Sequence, residues 1–180
     1  MSHLSDNRRH NVITASNAWS AVYERQKLWR QMTLREPPFE GNDMTEYGNI
    51  HEPIALSALE KEFDDIVEPG NKFVLHDKLP FGASPDGYYQ GNVIEIKCPY
   101  TQVIYPEIPE RYYFQMQMEV CKMPHAYFYI WTPTETKIQV VDRSKAWLEW
   151  YTPLALEFMK YVEDDIEPKR WTKKPIFNKE

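Results

Sequence analysis

The chain has 180 residues, long enough for one domain with a real core and short for two. Hydrophobic residues make up 42% and charged residues 27%, ordinary for a globular protein, while 14% aromatics predict a ring-rich core. A net charge of −6 argues against a surface that coats nucleic acid throughout; it leaves room for a local basic groove, and for carboxylates gathered to receive cations.

The first expected element is a helix starting near Thr14, where ITAS supplies hydroxyl caps and Trp19, Val22, Tyr23 and Trp29 follow at near-helical spacing. LREPPFEGND breaks it with adjacent prolines and a Gly-Asn pair. A second helix over about Thr45 to Phe63 would bury Ile50, Ile54, Ala58 and Leu59, with Pro53 either opening its regular part or bending it. Strands are expected at KFVLHD, around FGAS and at NVIEIKC. The last alternates cleanly, with Val93, Glu95 and Lys97 on one face and Ile94, Ile96 and Cys98 on the other. A Tyr-, Gln- and Met-rich helix spans about Glu110 to Lys122, followed by strands HAYFYIW and KIQVVD, the first of them central. A last helix runs from near Ser144 to about Tyr161. A polar tail over about 165–180 ends what reads as a single domain, 1–180, with no internal repeat. The class is α/β: a mixed central β-sheet flanked by helices.

No apolar run approaches the roughly 18 residues of a membrane helix, and MSHLSDNRRH lacks the apolar stretch of a secretory signal. Cys98 and Cys121 are too few for a disulfide framework or a four-cysteine cluster and read as small core residues. A reduced, cytoplasmic setting without a membrane partner is expected.

SPDGYYQGNVIEIKCPY, from Ser84 to Tyr100, places Asp86 in a turn, Glu95 nine residues on, and Lys97 beside it on the same strand face. Carboxylates converging from a turn and a strand are the donors magnesium prefers, and the Ile96 carbonyl is available as a further ligand. Two divalent ions roughly 4 Å apart polarise a phosphodiester, generate hydroxide and stabilise the leaving oxygen. Lys97 is then placed to orient water or offset phosphate charge. The residues alone leave a second reading open. Pro-Asp-Gly is a common turn former, and Glu-x-Lys is common on a half-exposed strand.

SPDG followed by IEIKCP resembles the PD-(D/E)xK nuclease motif of restriction-endonuclease-like folds, and more narrowly that of the phage lambda-type alkaline exonucleases, the YqaJ-like viral recombinases. RRHN and ITAS near the start, GNIHEP, and YYFQMQMEV after the lysine strand match in the same order, over about Arg9 to Val120. The resemblance implies that Glu52 joins Asp86 and Glu95 at the metals, and that Lys97 is the catalytic lysine. It also implies that Tyr112 and Gln115 line the site, with Gln117 a weaker candidate. Arg9 and Ser16 would hold the 5′-phosphate, chemistry that suits a guanidinium and a hydroxyl at a helix start. The implied activity is Mg2+-dependent 5′→3′ exonucleolysis of linear double-stranded DNA, with two ions and with Mn2+ able to substitute. Mononucleotides are released and 3′ overhangs left for recombination. The implied partners are a single-strand annealing protein and two further copies in a homotrimeric ring, acting inside a bacterial host of the phage. Two alternatives remain: an endonuclease on the same fold, and a decayed DNA-end-binding module. His51, beside Glu52, reads as a surface or capping residue, and KRWTKK as a solvated basic end, with a DNA or subunit contact as the alternative.

Overall fold

The structure, a computed structural model, describes residues 11–70 and 72–179. In chain order it comprises β1 (Ile13–Thr14), a 3-10 turn (Ala15–Asn17), α1 (Ser20–Tyr23), α2 (Arg25–Met32), α3 (Asp43–Phe63), β2 (Glu68–Pro69), β3 (Val74–Leu75), β4 (Phe81–Ala83), β5 (Gly87–Tyr89), β6 (Asn92–Lys97), α4 (Glu110–Glu119), β7 (His125–Trp131), β8 (Thr136–Asp142) and α5 (Lys145–Glu163). Among the described residues no helix is long and apolar enough to cross a membrane.

The main sheet has the order β2-β5-β6-β7-β8, with β6 and β7 parallel and the other neighbours antiparallel. Parallel neighbours need a crossover, and α4 supplies it. Helices cover both faces. Ile94, Ile96 and Tyr129 pack on Ala55 and Leu59 of α3, and Val93, Phe128 and Ile130 pack on Met116 of α4. Behind α4 a third cluster joins α1, α2 and α5 through Trp29, Phe114, Trp147, Tyr151 and Phe158. Each such side chain, fully enclosed, contributes about 1.5–3 kcal/mol. The Tyr151 hydroxyl is satisfied there by donating to the Ala18 carbonyl at 2.7 Å.

The α/β class and the helix-flanked sheet match expectation; several details do not. The single helix expected from Thr14 is a strand, a 3-10 turn and two helices, broken where Glu24 leaves helical geometry (φ −129°, ψ 36°). α3 begins earlier than expected because Asn42 caps it: its side chain accepts from the Thr45 N–H, and the Thr45 hydroxyl accepts from the Asn42 N–H. Pro53 lies inside α3 and does not open it. Ile50 and Ile54, expected in the core, are 59% and 51% exposed; Leu59 is buried as expected, and Ala55 joins it in the buried stripe. Phe81–Ala83 belongs not to the main sheet but to a small second one, β1-β4-β3.

The C-terminal segment is docked, against the expectation of a solvated end. The buried Arg25 guanidinium donates twice to the Lys169 carbonyl, at 3.0 and 2.6 Å, and lies 3.7 Å from the centre of the Trp171 ring. Trp171 Nε1 donates to the Val22 carbonyl and the Tyr23 hydroxyl to that of Pro175. The lysines of this segment remain exposed, but its backbone is tied to α1 and α2.

Candidate active site

The nine-residue spacing of Asp86 and Glu95 is hairpin arithmetic. Gln90 and Gly91 both have positive φ (49° and 77°), the backbone of a tight turn that matches strand twist. It pairs Tyr89 with Asn92, Tyr88 with Val93 and Gly87 with Ile94. One step further, Asp86 comes level with Glu95. Its N–H donates to the Ile94 carbonyl at 3.1 Å, and its Oδ2 accepts from the Ile96 N–H at 2.7 Å. Asp86 is thereby strapped over the strand that carries Glu95 and Lys97.

β6 is enclosed on both faces, so the half-exposed strand with ordinary surface charges is excluded. Glu95 is 3% exposed. Lys97 Nζ lies 2.9 Å from Glu95 Oε1 and 4.6 Å from the centre of the Tyr112 ring. Gln115 projects from α4 toward the same strand: its Nε2 donates to Glu95 Oε1 at 2.8 Å, and its Oε1 accepts from Lys97 Nζ at 3.4 Å. Glu52, from α3, lies close enough to Asp86 for the two carboxyls to share a hydrogen bond. Six expected residues, Glu52, Asp86, Glu95, Lys97, Tyr112 and Gln115, therefore converge, with Ile96 contributing backbone between them.

The electrostatics are those of an acid cluster short of positive charge. Burial, then the Glu95 and Glu52 charges, push Asp86 well above the ordinary carboxylate range. Glu52 is raised by burial and by Glu95. Burial opposes the Lys97 ammonium, but Glu95 and Asp86 outweigh it and hold its pKa above the usual lysine value. Cys98, beside Glu52, is pushed up to about 12, chiefly by burial, so it is a thiol and not a nucleophile.

Ser16 sits exposed in the 3-10 turn, its hydroxyl 3.2 Å from that of Thr14, and this turn packs against α4. Arg9 lies outside the described residues. Gln117 points away from the site: it holds the Asp142 carbonyl and the Ser144 N–H, tying α4 to the turn before α5. His51 stacks between Tyr47 and Trp131. One site residue went unrecognised in the sequence: Glu119, buried one helical turn beyond Gln115, whose Oε1 accepts from Gln115 Nε2 at 3.2 Å. Burial, then the neighbouring Glu95, raise it well above the ordinary range.

A divalent cation fits this donor set. Glu95 Oε2 is buried without a hydrogen-bond partner, and a cation would relieve the mutual repulsion of Glu52, Asp86 and Glu95. Among the described residues no three acidic, histidine or cysteine side chains are already arranged to hold an ion alone. Water or substrate oxygens would have to complete the coordination, as magnesium commonly requires.

Two crystal structures of an alkaline exonuclease from Laribacter hongkongensis, one in complex with dAMP, each match at TM-score 0.74 and 23% identity, over 88% of this chain and 91% of theirs. A phage-related exonuclease from Haemophilus somnus 129PT matches at TM-score 0.70 and 13% identity, over 85% and 94%. These likenesses establish a shared fold. No curated protein sequence matches the chain. The YqaJ-like viral recombinase domain model matches residues 6–122, well over half of the sequence and all of the converging residues. The chain belongs to the YqaJ-like viral recombinase domain family.

Proposed function

We propose that this protein is a divalent-cation-dependent exonuclease that degrades linear double-stranded DNA 5′→3′, releasing mononucleotides and leaving 3′ overhangs for annealing-type recombination. The observation that carries the reading is the convergence of Asp86, Glu95 and Lys97 on the β5–β6 hairpin, joined by Glu52 from α3. Family membership and the exonuclease fold support it.

Glu52, Asp86, Glu95 and the Ile96 carbonyl would hold Mg2+, or Mn2+ in its place. When bound, the metal supplies Lewis-acid polarisation of the phosphate and a water of lowered pKa. The chain's own groups do the rest. Lys97, kept cationic by its carboxylate neighbours, donates toward a phosphate oxygen and offsets developing negative charge. Tyr112 and Gln115 limit where its ammonium can go. Ser16, on the turn against α4, would contact the 5′-phosphate together with Arg9. By the same family resemblance the active form is a homotrimeric ring, and a single-strand annealing protein coats the exposed strand. Sedimentation of the free protein and co-purification with that partner test these two points.

The deciding experiment digests one plasmid, linear and supercoiled, with magnesium or chelator, the linear form labelled at its 5′ and 3′ ends. The expected result is magnesium-dependent release of the 5′ label as mononucleotide with the circle intact. Cutting of the circle would make the protein an endonuclease on this fold. No cutting of either form would leave a DNA-end-binding module.

A further inference from the structure

Glu119 occupies a position that core packing alone would fill with an apolar residue. It lies on α4 among Met116, Met118 and Val120, which are buried. On one side it faces Glu95 and Gln115. On the other it borders a small, mainly apolar cleft of about 90 Å³ whose lining includes Val74, Pro85, Tyr88 and Met118. No hydrogen-bond donor reaches its Oε2, and its carboxyl lies close enough to Glu95 for the two to share a hydrogen bond. A buried, half-satisfied carboxyl destabilises a fold, and a well-packed apolar substitute is commonly neutral or stabilising.

What Glu119 does have is a specific hydrogen bond. The Gln115 side-chain amide has two ends of similar shape and opposite hydrogen-bonding character. Its Nε2 is claimed by two acceptors, Glu95 Oε1 at 2.8 Å and Glu119 Oε1 at 3.2 Å. The amide oxygen is thereby turned toward Lys97 Nζ, 3.4 Å away. Glu95 alone does not secure this orientation, because Glu95 Oε1 is also the partner of Lys97 Nζ at 2.9 Å. If Glu95 swings toward a cation or a substrate, only Glu119 still holds the amide. With the amide reversed, its NH2 would face the ammonium, donor against donor, and Lys97 would lose its second anchor.

We propose that Glu119 is a positioning residue for phosphodiester cleavage: it locks the Gln115 amide so that the amide oxygen, together with Glu95, aims the Lys97 ammonium. This rests on the nuclease reading above, and it assigns no metal ligation to Glu119.

The test compares Glu119→Leu and Glu119→Gln with the wild-type protein on 5′-labelled linear duplex. Leu removes the acceptor. Gln keeps an acceptor for Gln115 and offers its own NH2 to Glu95. E119L is expected to lower kcat at least tenfold with KM nearly unchanged and a melting temperature equal to or above that of wild type. E119Q is expected to recover kcat to within about threefold, consistent with retention of one hydrogen bond. A second readout needs no turnover: in metal-free, 15N-labelled wild type the Gln115 side-chain amide is protected from solvent exchange, and that protection is lost in E119L and kept in E119Q. Wild-type kcat in E119L, or equal kcat losses in E119L and E119Q, would overturn the assignment. If E119L does not fold, a freely exchanging Gln115 amide in wild type would overturn it as well. A wild-type protein that cleaves nothing refutes the nuclease reading instead, so the two failures are distinguishable.

Discussion

Gly70 offers a way to move Asp86 without touching any ionisable group. The residue follows β2, and its N–H donates to the Asp86 carbonyl at 3.3 Å. A Cβ at this position would stand 2.1 Å from the Pro85 carbonyl oxygen, 2.7 Å from the Gly87 nitrogen and 2.8 Å from the Asp86 carbonyl carbon. All three are backbone atoms, so no side chain can rotate away. Side-chain Cβ atoms essentially never approach closer than 3.0 Å, so the Pro85–Gly87 backbone must retreat by about 1 Å to reach ordinary contact. Overpacking of this kind costs about 1–3 kcal/mol. A 1 Å misplacement of a catalytic group can cost roughly 100-fold in rate. Gly70→Ala should therefore lower the melting temperature by several degrees and reduce cleavage per folded molecule by one to two orders of magnitude. Duplex binding by the cation-free protein should be largely intact. Denaturation and single-turnover cleavage on the same preparation separate these effects. A folded G70A protein with wild-type cleavage would refute the claim that the Gly70 contact sets the position of Asp86.

Other perturbations report on separate parts of the structure. Because Asp86 titrates above the ordinary range in the fold, its contribution to stability is present below the unfolded carboxylate value and is lost as pH rises toward the folded one. The cation-free protein should thus lose melting temperature from about pH 4 upward; Asp86→Asn should flatten that loss while abolishing cleavage, and an unchanged slope would remove Asp86 as its source. Magnesium at 100 times its dissociation constant should restore about 2.7 kcal/mol at neutral pH in wild type and less in the Asn variant, read by calorimetry. Arg25→Ala removes two hydrogen bonds to Lys169 and the stack on Trp171. It should cost about 2–4 kcal/mol and open the Lys169–Lys174 segment to trypsin, and unchanged proteolysis would mean that the tail docks by other means. Ser16→Ala should slow digestion of 5′-phosphorylated ends more than of 5′-hydroxyl ends, and equal slowing would take Ser16 out of a phosphate pocket.

What the sequence revealed depended on how local each cause was. The alternation of NVIEIK placed Glu95 and Lys97 on one face and Ile94 and Ile96 on the other. The spacing to Asp86 foreshadowed the convergence, although β5 itself went unrecognised: three residues, one of them glycine, carry no periodicity. Gln115 was legible and Glu119 was not, because an acid in FQMQMEV reads as one polar residue within a packing stripe. Its signal was the four-residue step from Gln115 to Glu119, which puts both on one helix face, whereas the two-residue step puts Gln117 on the opposite one. Ile50 and Ile54 misled because α3 has apolar residues on more than one stripe, and only the facing sheet decides that Ala55 and Leu59 go inward. The docked tail depends on Arg25 meeting residues more than 140 positions later, which no local pattern encodes.

Core and site are coupled through a single register. Ile94 and Ile96 fill the α3 face because Val93, Glu95 and Lys97 fill the other, and side chains in a strand alternate with period two. The Gln90–Gly91 turn sets that register and, by the same count, brings Asp86 level with Glu95. Adding one residue to the turn could not be absorbed locally. Keeping Ile94 and Ile96 against α3 would carry Asp86 off its place opposite Glu95, and keeping Asp86 in place would drive Glu95 toward α3 and an isoleucine toward Gln115. Either way a carboxylate loses its partners or the core loses its apolar contacts. The acid cluster is therefore not a surface feature added to a finished fold: the pairing that buries the isoleucines is the pairing that assembles the site.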